Sequence, residues 1–87
     1  MSQSQSTLSV IARAPFNVYY EGNASAVSAT NKVGRFDILP GHADFFSILK
    51  SDEIVIDPGN GADPVTFPIN NGIMTVRDNE VLLFVDM

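Results

Sequence analysis

The chain lacks cysteine and tryptophan, and it has one histidine and five basic residues among its 87 residues. Without cysteine it can form neither disulfide bonds nor thiolate metal sites, and its redox compartment stays undetermined. Ten acidic residues give a net charge of −5. Nucleic-acid binding is disfavoured because it needs clustered Lys and Arg. Here the basic residues are scattered along the chain: Arg13, Lys32, Arg35, Lys50 and Arg77.

Long apolar runs are also missing. No stretch approaches the roughly 18 residues of a membrane span, so direct membrane insertion is not expected. The opening MSQSQST (1–7) is polar and has neither the basic region nor the apolar core of a signal peptide. We therefore predict a disordered amino-terminal segment over 1–7, one folded domain over 8–87, and a soluble intracellular protein.

Alternation of apolar and polar residues recurs throughout, whereas helical periodicity is hard to find. Val27 and Ala29 are the expected inward pair of one strand, and Pro68 predicts an edge strand or a bulge. About nine short strands at intervals of roughly 8 to 12 residues are typical of an all-β sandwich or barrel. The predicted strands cover 8–14, 17–22, 24–30, 35–39, 44–49, 53–57, 65–69, 73–77 and 81–85.

The last predicted strand, VLLFV (81–85), is apolar on both faces. Val81, Leu83 and Val85 alternate with Leu82 and Phe84. Either both faces are covered within the domain, or one apolar stripe is left for a partner.

Catalytic and metal-binding residues are not indicated. His42 has no second histidine or cysteine with which to form a metal site, although Asp37 and Asp44 could join it in a weak divalent site. The chain contains no GxSxG motif, and PGNGADP (58–64) lacks the lysine and the following helix of a phosphate-binding loop. The carboxylates at Asp52–Glu53, Asp78 and Glu80 fall at turns, where acidic residues are ordinary surface residues. No sequence feature marks a pair of them as a general acid and base. We predict no catalytic residue, no metal and no cofactor.

The segment around His42 leaves two interpretations. Pro40 fixes φ and Gly41 permits a turn that few other residues could make. His42 either caps a connection between strands or belongs to a rigid loop that is presented to another protein.

The whole segment GRFDILPGHADFFSIL (34–49) resembles the GEFGILPGHAPL signature of the epsilon subunit of rotary ATP synthases. LSVIARAPFNVYYEG (8–22) resembles the opening pattern of that family, with Tyr20 and Gly22 at its aromatic and glycine positions. FPINNGIMTVRDNEVLLFVD (67–86) resembles its closing pattern. The resemblance thus covers nearly the whole chain from Leu8 to Asp86.

This resemblance implies a ten-stranded β-sandwich that is not catalytic, because the catalytic sites of the complex lie on other subunits. It implies a rotor subunit that links gamma to the c-ring and couples proton or sodium flow to ATP synthesis. The gamma contact would involve the loop of Pro40, Gly41, His42, Ala43 and Asp44. The contact with the polar loops of the c-ring would involve Lys32, Val33, Gly34 and Arg35. The location implied is peripheral, on the cytoplasmic face of a bacterial inner membrane or the equivalent side of another energy-transducing membrane.

Three residues of the segment 34–49 depart from the family pattern, and Asn70-Asn71-Gly72 replaces the Ser-Gly-Gly of its closing part. Arg35 stands where an acidic or small polar residue is frequent, so an electrostatic c-ring contact would need a compensating acid on the ring. Asp37 replaces a common glycine, and Asp44 replaces the proline that often follows PGHA. The family usually continues into a carboxy-terminal helical hairpin, which we expect to be absent here, together with helix-mediated inhibition of ATP hydrolysis.

Two other functions stay open at this point. One is a free-standing epsilon-like interaction module whose binding face is the apolar last strand. The other is an enzyme or a metal-binding cupin-like protein, which this chain supports poorly because cupins use several histidines. Weak self-association of the isolated domain is a further expectation, since part of an interface would be exposed.

Overall fold

The computed structural model of the chain describes residues 7–86, and these residues fold into two β-sheets with no helix. The expected disordered segment (1–7) lies outside the described residues, except for Thr7. The nine strands are β1 (Leu8–Arg13), β2 (Val18–Ala24), β3 (Ala26–Asn31), β4 (Gly34–Ile38), β5 (Phe45–Leu49), β6 (Asp52–Asp57), β7 (Val65–Ile69), β8 (Asn71–Arg77) and β9 (Glu80–Asp86).

The all-β sandwich predicted from the sequence is confirmed. One sheet has five strands in the order β2-β1-β9-β8-β5, and the other has four in the order β4-β3-β6-β7. All neighbouring strands are antiparallel except β1 and β9. Residues 7–86 thus form one strand fewer than the ten implied by the resemblance. The two longest connections, 39–44 and 58–64, contain Pro and Gly that favour turns over strand pairing.

Alternation along each strand builds the core between the sheets. In β1, Leu8, Val10 and Ala12 are buried while the residues between them are exposed. β3 buries Val27 and Ala29, the inward pair predicted from the sequence. Because side chains on a strand point alternately to its two faces, each strand contributes every second residue to the core.

Specific contacts close the two sides of the sandwich. On one side, Asn31 of β3 donates its side-chain Nδ2–H to the Ser47 hydroxyl of β5 at 3.0 Å, and the Lys50 N–H donates to the Thr30 carbonyl at 2.8 Å. On the other side, the rings of Tyr19 and Phe67 stack with centroids 5.4 Å apart. β7 is an edge strand, as Pro68 predicted, because proline has no N–H to donate to a further strand.

Candidate docking surfaces

The outer face of the five-stranded sheet is apolar and exposed. Strand pairing aligns Ile48, Ile73 and Phe84 in one row across β5, β8 and β9. A second row contains Phe46, Thr75, Leu82 and Ile11. We call these two rows the apolar face. Its hydrophobic side chains are between 37% and 67% exposed: Ile11, Phe46, Ile48, Ile73, Leu82 and Phe84.

The apolar face continues toward the connection between β1 and β2. A groove of about 460 Å³ lies beside Ile48, Ile73 and Phe84 and extends to Pro15. Phe16, the next residue, is 94% exposed. A contiguous exposed apolar surface on a small soluble domain marks an interaction site more often than scattered single residues do.

The outer face of the four-stranded sheet is polar in contrast. The Ser28 hydroxyl donates to the Asp37 carboxylate, and the Thr30 hydroxyl donates to the Asp52 carboxylate at 2.7 Å. Arg35 donates to the Glu53 carbonyl at 2.6 Å. These groups form hydrogen bonds with one another across β4, β3 and β6. This face therefore has less exposed apolar surface for a partner than the opposite face has.

Arg35 is held against the four-stranded sheet. Its guanidinium donates to the Thr30 hydroxyl at 3.2 Å and lies 3.7 Å from the Asp52 carboxylate. The hydrogen bond from Thr30, then the one from the Glu53 N–H, and to a smaller extent the charge of Arg35, lower the pKa of Asp52 below its ordinary value of 3.8. Arg35 therefore extends over the sheet surface next to the turn that it follows.

Asn31 organises the turn between β3 and β4, although it belongs to none of the candidate contact segments predicted from the sequence. Its Oδ1 accepts hydrogen bonds from the Val33 N–H at 2.9 Å and the Gly34 N–H at 3.2 Å. Such a side-chain turn is a recognised property of Asn, so the signal was the Asn that precedes Lys-Val-Gly. The turn leaves Lys32 exposed and Val33 89% exposed at its tip.

The tip of this turn borders the apolar face. Lys32, Val33 and Lys50 line a groove of about 450 Å³ together with Phe46 and Ile48. Over residues 7–86, neither lysine forms an ion pair within the chain. Two exposed ammonium groups thus flank an apolar patch in a protein whose net charge is −5.

Two adjacent backbone amides hold the loop after β4. The Gly41 N–H donates to Oδ1 of Asn79 at 2.7 Å, which attaches the loop to the turn between β8 and β9. The His42 N–H donates to the Leu39 carbonyl at 3.1 Å and closes a turn. Gly41 has a φ of 87°, a conformation that glycine adopts at little cost, so the turn needs a glycine here.

The His42 side chain is half-buried and packs within this loop. Its Nδ1 lies 2.7 Å from the Ala43 carbonyl, an arrangement that favours the tautomer with the proton on Nδ1. Its ring meets the edge of Phe45, with centroids 5.4 Å apart, and Phe45 meets Phe36 in the same way. A shallow groove of about 270 Å³ joins His42 to Val33, Gly34 and Arg35. The two segments predicted as partner contacts therefore border one groove, the loop 40–44 through His42 alone.

A metal centre has no support in the arrangement of side chains. The Asp37 carboxylate accepts the hydrogen bond from Ser28, and within residues 7–86 no three His, Asp or Glu side chains come together in a way that could hold a metal ion. In the same part of the chain, no helix is long and apolar enough to cross a bilayer.

Comparison with known proteins identifies the family. The family model "ATP synthase, Delta/Epsilon chain, beta-sandwich domain" matches residues 7–87. The ATP synthase epsilon chain of Xanthomonas euvesicatoria pv. vesicatoria (strain 85-10) is 34% identical over 67 residues, which is 77% of this chain and 47% of that protein. The epsilon chain of Trichlorobacter lovleyi (strain ATCC BAA-1151 / DSM 17278 / SZ) is 31% identical over 72 residues, 83% of this chain and 51% of that protein.

Solved structures share the fold. A chain of the Euglena gracilis mitochondrial ATP synthase, solved as OSCP/F1/c-ring, aligns with a TM-score of 0.87 at 14% identity over 99% of this chain and 54% of its own length. A chain of the Tetrahymena thermophila mitochondrial ATP synthase central stalk and c-ring aligns with a TM-score of 0.78 at 18% identity, over 99% of this chain and 67% of its own. The chain spans about half the length of the curated relatives that it matches. By the match of the family model, the chain belongs to the family of ATP synthase delta/epsilon chain β-sandwich domains, as its PGHA segment predicted.

Proposed function

We propose that this domain is a non-catalytic part of the rotor of an F-type ATP synthase, where it joins the gamma subunit to the c-ring. Family membership supports the assembly, and the apolar face is the observation that carries the role. A domain that joins two partners needs two contact regions, and the chain has an apolar face and, at its border, an exposed turn with two lysines beside it. The location follows as peripheral, at the c-ring on the cytoplasmic side in a bacterium.

The gamma contact is assigned to the apolar face together with the loop 40–44. Six partly exposed hydrophobic side chains give the large apolar area that stable protein interfaces bury at their centre. The loop has a fixed shape, because Asn79 holds Gly41 and Phe45 contacts His42. A preformed loop loses little conformational entropy when it docks.

The c-ring contact is assigned to the turn 32–35, with Lys32 and Val33 as the groups that reach the partner. Arg35 is engaged by Thr30, Asp52 and the Glu53 carbonyl, so it acts by orienting the turn. The complementary acid on the ring would then pair with Lys32 and Lys50. Arg35→Glu should weaken c-ring binding, because the new carboxylate would repel the carboxylate of Asp52 and displace the turn.

Binding of purified cognate gamma to the domain tests the first surface. Ile73→Thr combined with Leu82→Thr should weaken binding at least about tenfold, because the few interface residues whose truncation costs more than about 1 kcal/mol cluster near the centre of the contact. Val55→Thr on the outer face of the four-stranded sheet is the matched control and should leave affinity unchanged. Equal loss with the control, or no loss with the double variant, would contradict the assignment.

Binding to a purified cognate c-ring in detergent tests the second surface. Lys32→Glu with Lys50→Glu should abolish binding that the wild type shows at low ionic strength, and raised salt should weaken the wild type in the same way. Thr66→Glu, on the opposite edge strand β7, adds a carboxylate elsewhere and should have little effect. Binding that is indifferent to both salt and the lysines would count against the electrostatic contact.

A further inference from the structure

The chain contains two Asn–Gly pairs, Asn60–Gly61 and Asn71–Gly72. In such a pair the backbone nitrogen of glycine can attack the side-chain amide carbon of asparagine, since glycine has no side chain to hinder the approach. The reaction requires that the backbone between the two residues can rotate. The two pairs differ in this respect, and each therefore serves as a reference for the other.

Asn60 and Gly61 occupy the centre of an exposed turn in the connection between β6 and β7. The Ala62 N–H donates to the Gly59 carbonyl at 3.0 Å and closes this turn. Both central residues have positive φ, 57° and 77°. A side chain added at Gly61 would meet nothing within 4 Å, and the Gly61 N–H has no hydrogen-bond acceptor within residues 7–86. The attacking nitrogen and its target are thus both open to solvent.

Asn71 and Gly72 lie in β8, between β5 and β9. Gly72 pairs with Leu49 on one side and Val85 on the other, and it is buried. A Cβ at this glycine would lie 2.8 Å from the Phe84 carbonyl oxygen. The nitrogen of Gly72 cannot turn toward the Asn71 side chain unless the pairing of β8 with β5 and β9 opens locally at this end of the strand.

We propose that Asn60 is a site of spontaneous modification, which converts it to aspartate and isoaspartate. The Gly61 nitrogen loses its proton to hydroxide and bonds to Cγ of Asn60, and ammonia leaves as the five-membered succinimide forms. Water then opens either carbonyl of the ring and yields aspartate or its isoaspartyl isomer at this position, without any change of oxidation state. Each event adds one carboxylate to a chain whose net charge is −5.

The modified position lies away from the proposed c-ring contact. Pairing between β3 and β6 places Asp57 beside Ala26, at the opposite end of β3 from Asn31 and the turn that follows it. The connection 58–64 is therefore at the other end of the four-stranded sheet from Lys32 and Val33. A charge gained there leaves the proposed c-ring contact unaltered.

Incubation of the purified protein at mildly alkaline pH, followed by peptide mapping with mass spectrometry, tests the proposal. The peptide with Asn60 should deamidate at least about tenfold faster than the peptide with Asn71, since a strand opening that costs about 1.4 kcal/mol already slows the reaction tenfold. Purified protein isoaspartate methyltransferase should label the Asn60 peptide. Equal rates for the two peptides in the folded protein would overturn the proposal.

Two controls separate structure from sequence. In concentrated denaturant both pairs lose their surroundings, and their rates should converge. Asn60→Asp should leave no deamidation signal in its peptide while the protein stays folded. A difference between the two pairs that persists unchanged in denaturant would show that the fold does not protect Asn71, and would also overturn the inference.

Discussion

Two asparagine side chains, those of Asn31 and Asn79, hold turns that flank the proposed contacts. Asn31 accepts two backbone hydrogen bonds and donates one to Ser47, so it fixes the turn 32–33 and ties it to the other sheet. Asn79 accepts from Gly41 while its own backbone carbonyl accepts from the Ser9 N–H at 2.8 Å. Short side chains with both donor and acceptor groups thus set the shape of the loops.

Asn79→Gly isolates the side-chain contribution, because glycine tolerates the φ of 61° found at this position. The domain should stay folded, and the Gly41 amide should exchange with solvent faster since its acceptor is gone. Amide hydrogen exchange by NMR measures this directly. The amide of Ser9 should keep its protection because it binds a backbone carbonyl, and unchanged exchange at Gly41 would disprove the role of the side chain.

Titration of Asp52 tests the hydrogen bonds of the polar face. Thr30→Val removes the main hydrogen bond to the carboxylate, so the pKa of Asp52 should rise toward 3.8, and more than it does in Arg35→Ala. NMR titration of the carboxyl carbon measures both shifts. A larger rise in Arg35→Ala would mean that charge outweighs the hydrogen bond.

The same shift predicts the pH dependence of stability. The folded state holds the pKa of Asp52 below its ordinary value, so folding favours the ionised carboxylate. The contribution is fully present above about pH 4, near the unfolded pKa, and is lost as pH falls through the folded pKa. Denaturation at a series of pH values should therefore show wild type and Thr30→Val converge in acid, and a difference that grows in acid would contradict the assignment.

At the scale of elements, two of the strands that form the apolar face, β9 and β5, have sequences that show little alternation of apolar and polar residues. In β9, Val81, Leu83 and Val85 face the core while Leu82 and Phe84 are about half exposed. The sequence left open whether both faces of this strand are covered, and the structure shows that the outer one is exposed within residues 7–86. β5 has no alternation in FFSIL either, and only its pairing with β8 reveals which of its residues are outward.

Strand positions were predictable because alternation and turn residues are local signals. The bounds of β7 agree with the prediction, and the others differ by a few residues at their ends. The sheet order was not predictable from these signals, because β1 pairs in parallel with β9 at the other end of the chain. For the same reason, nothing local could indicate that Gly41 binds Asn79 or that His42 and Val33 border one groove.

Gly72→Ala tests the close approach of β8 and β9. The added methyl would lie 2.8 Å from the backbone oxygen of Phe84, and backbone can yield only by moving a strand. We expect a loss of about 1–3 kcal/mol in the free energy of unfolding, as for other overpacked sites. Chemical denaturation measures it, with Asn71→Ala on the same strand as an exposed control. A stability equal to the control would mean that the strands accommodate the methyl group.

For the molecule as a whole, the two outer faces differ in kind. The four-stranded sheet satisfies its polar groups within itself, whereas the five-stranded sheet exposes hydrophobic side chains and borders the two lysines. A closely packed sandwich deforms little, which suits the proposed transmission of torque between two partners. The rotor role therefore requires that both surfaces be occupied at the same time.

Retention of a purified cognate c-ring on immobilised cognate gamma, with and without this domain, tests that requirement most directly. We expect the wild-type domain to increase retention. Ile73→Thr/Leu82→Thr and Lys32→Glu/Lys50→Glu should each abolish the increase while still binding the partner whose surface is intact. A wild-type domain that binds gamma and the c-ring only in competition with each other, or that fails to increase retention, would contradict the linking role.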